Sequence, residues 1–147
     1  MKIGVCSDHR GVYLREKVIL YLEHKGYEVV DFCKENTSED DFTDYAYLLG
    51  TAIVKKKVDR GIAICGTGIG MSIVLNKIKG VYCGKIDNLN DAVLCRQHND
   101  CNAIAFSAYL DENLVFEMID KFLTTDFLTE EKRIRRNNKI KEIEKNG

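Results

Sequence analysis

The chain reads as an α/β domain: a five-stranded parallel sheet with helices on both faces, a three-layer arrangement that ends in a C-terminal helical arm. Three observations predict it. Five short apolar runs recur along the sequence, and stretches with apolar residues at helical spacing separate them. Strands alternating with helices run parallel, because each crossover returns the chain to the same end of the sheet. The 147 residues are 45% hydrophobic, enough for one core and too few for two.

Taken in order, Ile3 to Cys6 is the first strand. Leu14, Val18, Tyr21 and Leu22 then form one face of a helix, which Gly26 stops. Tyr27 to Phe32 is the second strand, and residues 34–41 are a polar, acidic loop. Ala46, Leu49 and Ile53 mark a helix that runs to about Lys57. Gly61 to Cys65 is the third strand and Ile69 to Lys77 the helix after it. Val81 to Ile86 reads as the fourth strand, Leu89 to Arg96 as a helix, and Asn102 to Phe106 as the fifth strand. Val115, Met118, Ile119 and Phe122 give one more helix, so residues 1–128 hold the α/β domain. The tail, 129–147, has a different composition: seven basic and four acidic residues, with Ile134, Ile140 and Ile143 as its only large apolar side chains. It reads either as a solvated helix or as a basic arm that crosses to a partner subunit and helps hold an anion.

A net charge of −1 gives no electrostatic reason to expect nucleic acid or an anionic membrane as a partner. No apolar run is long enough to span a bilayer, and Met1-Lys2-Ile3-Gly4-Val5 enters a strand directly instead of a signal peptide. The six cysteines (Cys6, Cys33, Cys65, Cys83, Cys95 and Cys101) form no C-x-x-C pair. They read as reduced thiols, not as a disulfide frame or a metal site, and the expected compartment is the cytoplasm.

The most informative segment is Gly61-Ile62-Ala63-Ile64-Cys65-Gly66-Thr67-Gly68-Ile69-Gly70-Met71-Ser72. A buried strand delivers a thiol to a loop whose glycines let backbone N–H groups crowd around an anion, and the following helix points its positive end at the same spot. Thiolates are favoured in such places, which makes Cys65 a candidate base or nucleophile. The bland alternative is a small apolar side chain at a strand end. A dinucleotide site is disfavoured because Met71 stands where the fingerprint needs its third glycine, and no Gly-Lys-Ser/Thr follows for a nucleotide loop.

In a parallel α/β sheet the ligand sits at the carboxyl ends of the strands. There the chain places Ser7-Asp8-His9-Arg10-Gly11 and Cys65-Gly66-Thr67-Gly68. His98-Asn99-Asp100 instead precedes the fifth strand, at the opposite edge of the sheet. If it belongs to the same site, a second copy of the chain must supply it. His24 falls in the surface pattern of the first helix and has no expected role.

Ser7-Asp8-His9-x-Gly11, Asp44-Tyr45-Ala46, Gly61 through Ile73 with Asn76-Lys77, and Arg96-x-His98-Asn99-Asp100-x-Asn102 together resemble the type B ribose-5-phosphate isomerase family, which also includes galactose- and allose-6-phosphate isomerases. The likeness runs in order along essentially the whole chain. It implies a Rossmann- or flavodoxin-like domain, a homodimer or a tetramer built from it with sites at the interface, and aldose–ketose isomerisation of a sugar phosphate without metal or coenzyme. By the same resemblance, Cys65 is the base that moves a proton between C2 and C1, and Thr67 shuttles the proton between oxygens. His98, with Asp8, opens the sugar ring. Backbone N–H groups of Gly66, Gly68, Ile69, Gly70 and Met71 stabilise the enediolate, Asn99 orients it and Tyr45 flanks the sugar. His9 and the tail arginines Arg133 and Arg136 hold the phosphate.

The chain departs from the family pattern near the phosphate end. Tyr82 and Tyr109 stand where the family usually has arginines, Asp87-Asn88 replaces His-Asp, and the tail reads Glu130-Glu131-Lys132-Arg133-Ile134-Arg135-Arg136 in place of Gly-Gly-Arg-His-x-x-Arg. Either Lys132 or Arg133 matches the first tail arginine, and a lysine there loses bidentate phosphate geometry. The expectation is an isomerase with ribose 5-phosphate as its leading substrate. A six-carbon sugar phosphate, or a catalytically silent partner subunit that only binds sugar phosphate, is the alternative.

Overall fold

The structure is a computed structural model and describes residues 1–33 and 35–147. The strands are β1 (Lys2–Ser7), β2 (Glu28–Asp31), β3 (Arg60–Cys65), β4 (Cys83–Lys85) and β5 (Ala103–Ser107). The helices are α1 (Val12–His24), α2 (Phe42–Val54), α3 (Ile69–Asn76), α4 (Leu89–Asn99), α5 (Glu112–Thr124) and α6 (Glu131–Asn146), and a 3-10 turn, His9–Gly11, precedes α1. The expected parallel sheet is present, in the order β2-β1-β3-β5-β4. Part of the acidic loop expected at 34–41, residue 34, lies outside the described residues.

Several boundaries differ from the sequence reading, each for a local reason. β4 spans three residues, not Val81 to Ile86. It is an edge strand, and Tyr82 just before it gives its N–H to the Asn102 side chain at 2.9 Å. α4 continues beyond Arg96 to Asn99 because Asp100 takes the left-handed conformation and its N–H closes back on the Arg96 carbonyl. His98 and Asn99 therefore ride on the last helical turn. The tail forms a continuous helix of 16 residues.

The two sheet faces are built from residues of different size. One face carries Ile3, Val5, Ile62, Ile64, Ile104 and Phe106, packed under α1, α4 and α5. The alternate positions Cys6, Ala63, Cys65, Ala103 and Ala105 face α2 and α3. Small residues there let those helices sit close: a Cβ at Gly4 or Gly61 would lie 2.7 or 3.0 Å from Leu49 Cδ1. Close seating brings the start of α3 down onto the strand end that carries Cys65.

The chain leaves β1 for β2 on one side and returns to β3 on the other. This change of direction falls between the carboxyl ends of β1 and β3, the position at which α/β folds bind ligands. Among the described residues no helix is long and apolar enough to cross a membrane.

Candidate active site

Cys65 ends β3 and is 5% exposed, with Ser107 as its register partner on β5. Its sulfur accepts the Gly68 N–H at 3.2 Å. That contact requires the loop to fold back on itself, which Gly68 permits at φ 84°. A Cβ on Gly68 would lie 2.7 Å from Phe106 Cα, so no side chain fits. The Thr67 hydroxyl oxygen accepts the Ile69 N–H at 3.1 Å. The N–H groups of Gly66, Thr67, Gly70 and Met71 find no protein acceptor among the described residues. The loop thus spends two donors on holding its own thiol and hydroxyl and keeps four for a ligand.

The turn after β1 lies beside this loop. Asp8 caps the 3-10 turn by accepting the Arg10 N–H at 3.0 Å. His9 Nδ1 is 2.9 Å from Asp40 Oδ1, and the Tyr45 hydroxyl donates to Asp40 Oδ2 at 3.2 Å. A Cβ built on Gly66 would meet Arg10 Nη1 at 3.2 Å, which places that guanidinium over the loop. A Cβ on Gly70 would strike the Phe42 ring at 2.7 Å, so the first turn of α2 walls the other side. Asp8, His9, Tyr45, Cys65, Thr67 and the 66–71 backbone therefore share one end of the sheet.

His98, Asn99, Arg133 and Arg136 do not reach it within one chain. His98 and Asn99 precede the start of β5, whose five residues span about 13 Å at the usual rise per residue. There α6 docks through Asn137, which donates to the His98 carbonyl at 2.8 Å and faces the Asn99 amide at 3.4 Å. Arg133 turns back to Glu130, its Nε 3.7 Å from the carboxylate, while Lys132 and Arg136 are exposed. Lys132 and Arg136 are four residues apart and share a helix face.

Several motif residues prove structural. Asn102 binds the Tyr82 N–H and the Gly80 carbonyl, and Arg96 donates to the carbonyls of Cys101 and Thr125. Asn88 caps α4 by accepting the Asp91 N–H at 2.8 Å. Tyr82 reaches toward Glu144 of α6 at 3.4 Å, and burial followed by that negative charge raises its phenol above the ordinary value. Asp40 and Phe42 lie outside the motifs read from the sequence, and Arg10 was placed at the strand ends without a role. Only the composition of the acidic loop, and the position of Arg10 between a motif histidine and glycine, offered a signal.

The Ribose/Galactose Isomerase family model matches residues 3–143. The chain belongs to that family. It is thereby one of the aldose–ketose isomerases that act on sugar phosphates. A putative sugar phosphate isomerase of Bacillus subtilis is 38% identical over 129 residues, covering 86% of this chain and 87% of that protein. Ribose-5-phosphate isomerase B of Escherichia coli is 37% identical over 107 residues, covering 73% of this chain and 72% of its own. Among solved structures, ribose-5-phosphate isomerase B of Clostridium thermocellum superposes with a TM-score of 0.95 at 36% identity, over 99% of both chains. The Mycoplasma genitalium ribose-5-phosphate isomerase B with bound ribulose-5-phosphate gives 0.94 at 32% identity, over 99% of this chain and 97% of that one.

Proposed function

We propose that this isomerase interconverts D-ribose 5-phosphate and D-ribulose 5-phosphate through a cis-enediolate, with Cys65 as the base. The observation that carries the reading is the Gly68 N–H at 3.2 Å from Cys65 Sγ, beside four N–H groups without protein acceptors among the described residues. That contact holds the sulfur against the loop whose N–H groups face the developing enediolate. Cys65 takes the proton from C2 and returns it to C1, and the Thr67 hydroxyl passes a proton between O1 and O2. As C2 loses its proton, negative charge collects on oxygen. The free N–H groups of Gly66, Thr67, Gly70 and Met71 meet it there, an effect worth about 3–4 kcal/mol per donor in comparable sites. His9 holds the phosphate from the β1 turn.

The other half of the site comes from a second chain. His98 and Asn99 lie at the opposite end of the sheet from Cys65, so in a homodimer the partner's His98 opens the ring over Cys65, with Asp8 assisting. The partner's Asn99 orients the intermediate. The partner's α6 closes on the phosphate with Arg136 and with Arg133 or Lys132; Lys132 and Arg136 are exposed, and Arg133 Nε lies 3.7 Å from the Glu130 carboxylate. The second reading is a six-carbon sugar phosphate, because Tyr109, 73% exposed next to Ser107 at the carboxyl end of β5, replaces an arginine of the family pattern and changes what can meet the far end of the sugar. Incubation in D₂O with ribose, allose and galactose phosphates in turn, read by NMR, tests both readings. Deuterium at C2 and ketose from ribose 5-phosphate, abolished in Cys65→Ala, is the expected result. Exchange only with a hexose phosphate transfers the assignment to that sugar, and none with any of the three overturns both substrate readings.

A further inference from the structure

Asp40, in the acidic loop that the reaction does not use, is the hub of the hydrogen bonds on the β1 side of the site. Its side chain is 6% exposed. Oδ1 accepts the His9 backbone N–H at 3.2 Å and lies 2.9 Å from His9 Nδ1. Oδ2 accepts from Asn36 Nδ2 at 2.9 Å and from the Tyr45 hydroxyl at 3.2 Å. Burial by itself would push this carboxyl up, but the hydrogen bonds from Asn36, His9 and Tyr45 outweigh it and hold it below its ordinary value. Asp40 is therefore a carboxylate at neutral pH, and a carboxylate only accepts. The proton between it and His9 must sit on Nδ1.

The hub cannot swing aside. Asn36 also donates to the Ser7 carbonyl at 3.0 Å, and its own oxygen accepts from Arg15 Nη1. Arg15 is 3% exposed and anchored 3.3 Å from Asp31. A chain of paired polar groups thus runs from the buried end of β1 to the imidazole.

We propose that Asp40 is the positioning residue of the phosphate-holding histidine. It commits His9 Nδ1–H to the protein, leaves Nε2 as the only ring atom for the sugar's phosphate, and seats Tyr45 with its other oxygen. An imidazolium in this place divides its two N–H groups between Asp40 and the phosphate, the arrangement by which a carboxylate orients a histidine toward a charged ligand. The inference rests on the reading that His9 holds the phosphate.

The test is calorimetric titration of the full chain with inorganic phosphate, alongside steady-state kinetics, for His9→Ala, Asp40→Asn and the double variant. Expected are phosphate binding weakened about tenfold or more in Asp40→Asn, a matching rise in KM with kcat within about twofold, and a double variant no weaker than His9→Ala. Separately, ¹⁵N NMR of the unmodified chain should show His9 with Nδ1 protonated, a result that does not depend on any variant folding. An unprotonated Nδ1 overturns the proposal. So does an Asp40→Asn effect that persists in the His9→Ala background, or normal phosphate binding by Asp40→Asn while His9→Ala binds weakly. Unchanged binding in His9→Ala removes the phosphate role of His9 itself, and the proposal falls with it.

Discussion

Individual residues in the Cys65 loop have little freedom. Gly68 combines a positive φ with backbone of Phe106 where a Cβ would go, so Gly68→Ala faces strain and collision together. The expected result is a drop in kcat of at least about 10²-fold, with a melting temperature lowered by several degrees. Loss of the Sγ contact and misplacement of the free N–H groups act together. Cys65→Ala should keep the melting temperature within a few degrees, since it removes one sulfur atom, while kcat falls by about 10²–10⁴-fold. Comparing the two variants by calorimetry and turnover separates the loop's shape from its chemistry. Arg15 is the complementary case: its guanidinium is buried on Ser7 Oγ at 2.5 Å and beside Asp31. Arg15→Ala leaves those partners without their cation, and denaturant unfolding should show a loss of about 3 kcal/mol.

Whole segments divide between framing the site and completing it. The segment before α2 is tied to β1 by Asp40, whose carboxyl is held below its ordinary value although burial alone would raise it. A depressed carboxyl stabilises the fold above its unfolded pKa, and that contribution disappears as pH falls through the lower folded value. Thermal melts should therefore be flat near neutrality and drop below about pH 4, with Asp40→Asn showing a smaller drop. At the other end of the molecule α6 has no buried residue of its own. Glu144 accepts the Gly80 N–H at 3.0 Å and lies near Tyr82, and Asn137 binds the end of α4. The tyrosine that replaces an expected arginine is thus part of the docking of the tail. Its exposed side offers Ile143, Lys132 and Arg136 to whatever lies beyond.

Across the whole molecule, the proposed site is split between two chains, and the split has a direct signature. Cys65→Ala and His98→Ala are each expected to be inactive as pure dimers. Mixed and allowed to exchange subunits, they form hybrids with one site that combines both intact halves. Activity should return to about a quarter of the unmodified level, measured as ketose formation after refolding the mixture. No recovery, with hybrid formation confirmed by native mass measurement, places both residues in one chain's site.

How much of this was legible without coordinates follows from the range of the interactions. Strand and helix alternation, the parallel sheet and the Cys65–Gly70 loop were written locally, because periodicity and glycine placement act over a few residues. Even the separation of His98 from Cys65 followed from chain order, since a helix-to-strand turn lies at the opposite end of a parallel sheet from a strand-to-helix loop. The strand order with β5 inside β4 had no such local signal, and neither did the end of α4, set by the left-handed Asp100 closing onto Arg96. Asp40 shows the limit most clearly: next to Asp41 in an acidic stretch it looks solvated, yet it sits at the centre of His9, Asn36 and Tyr45. The sequence by itself determined which chemistry the chain carries and at which end of the sheet each piece lies. Tertiary structure decided which polar residues frame that chemistry, because burial and hydrogen bonding between distant residues exist only once the sheet and its helices have closed.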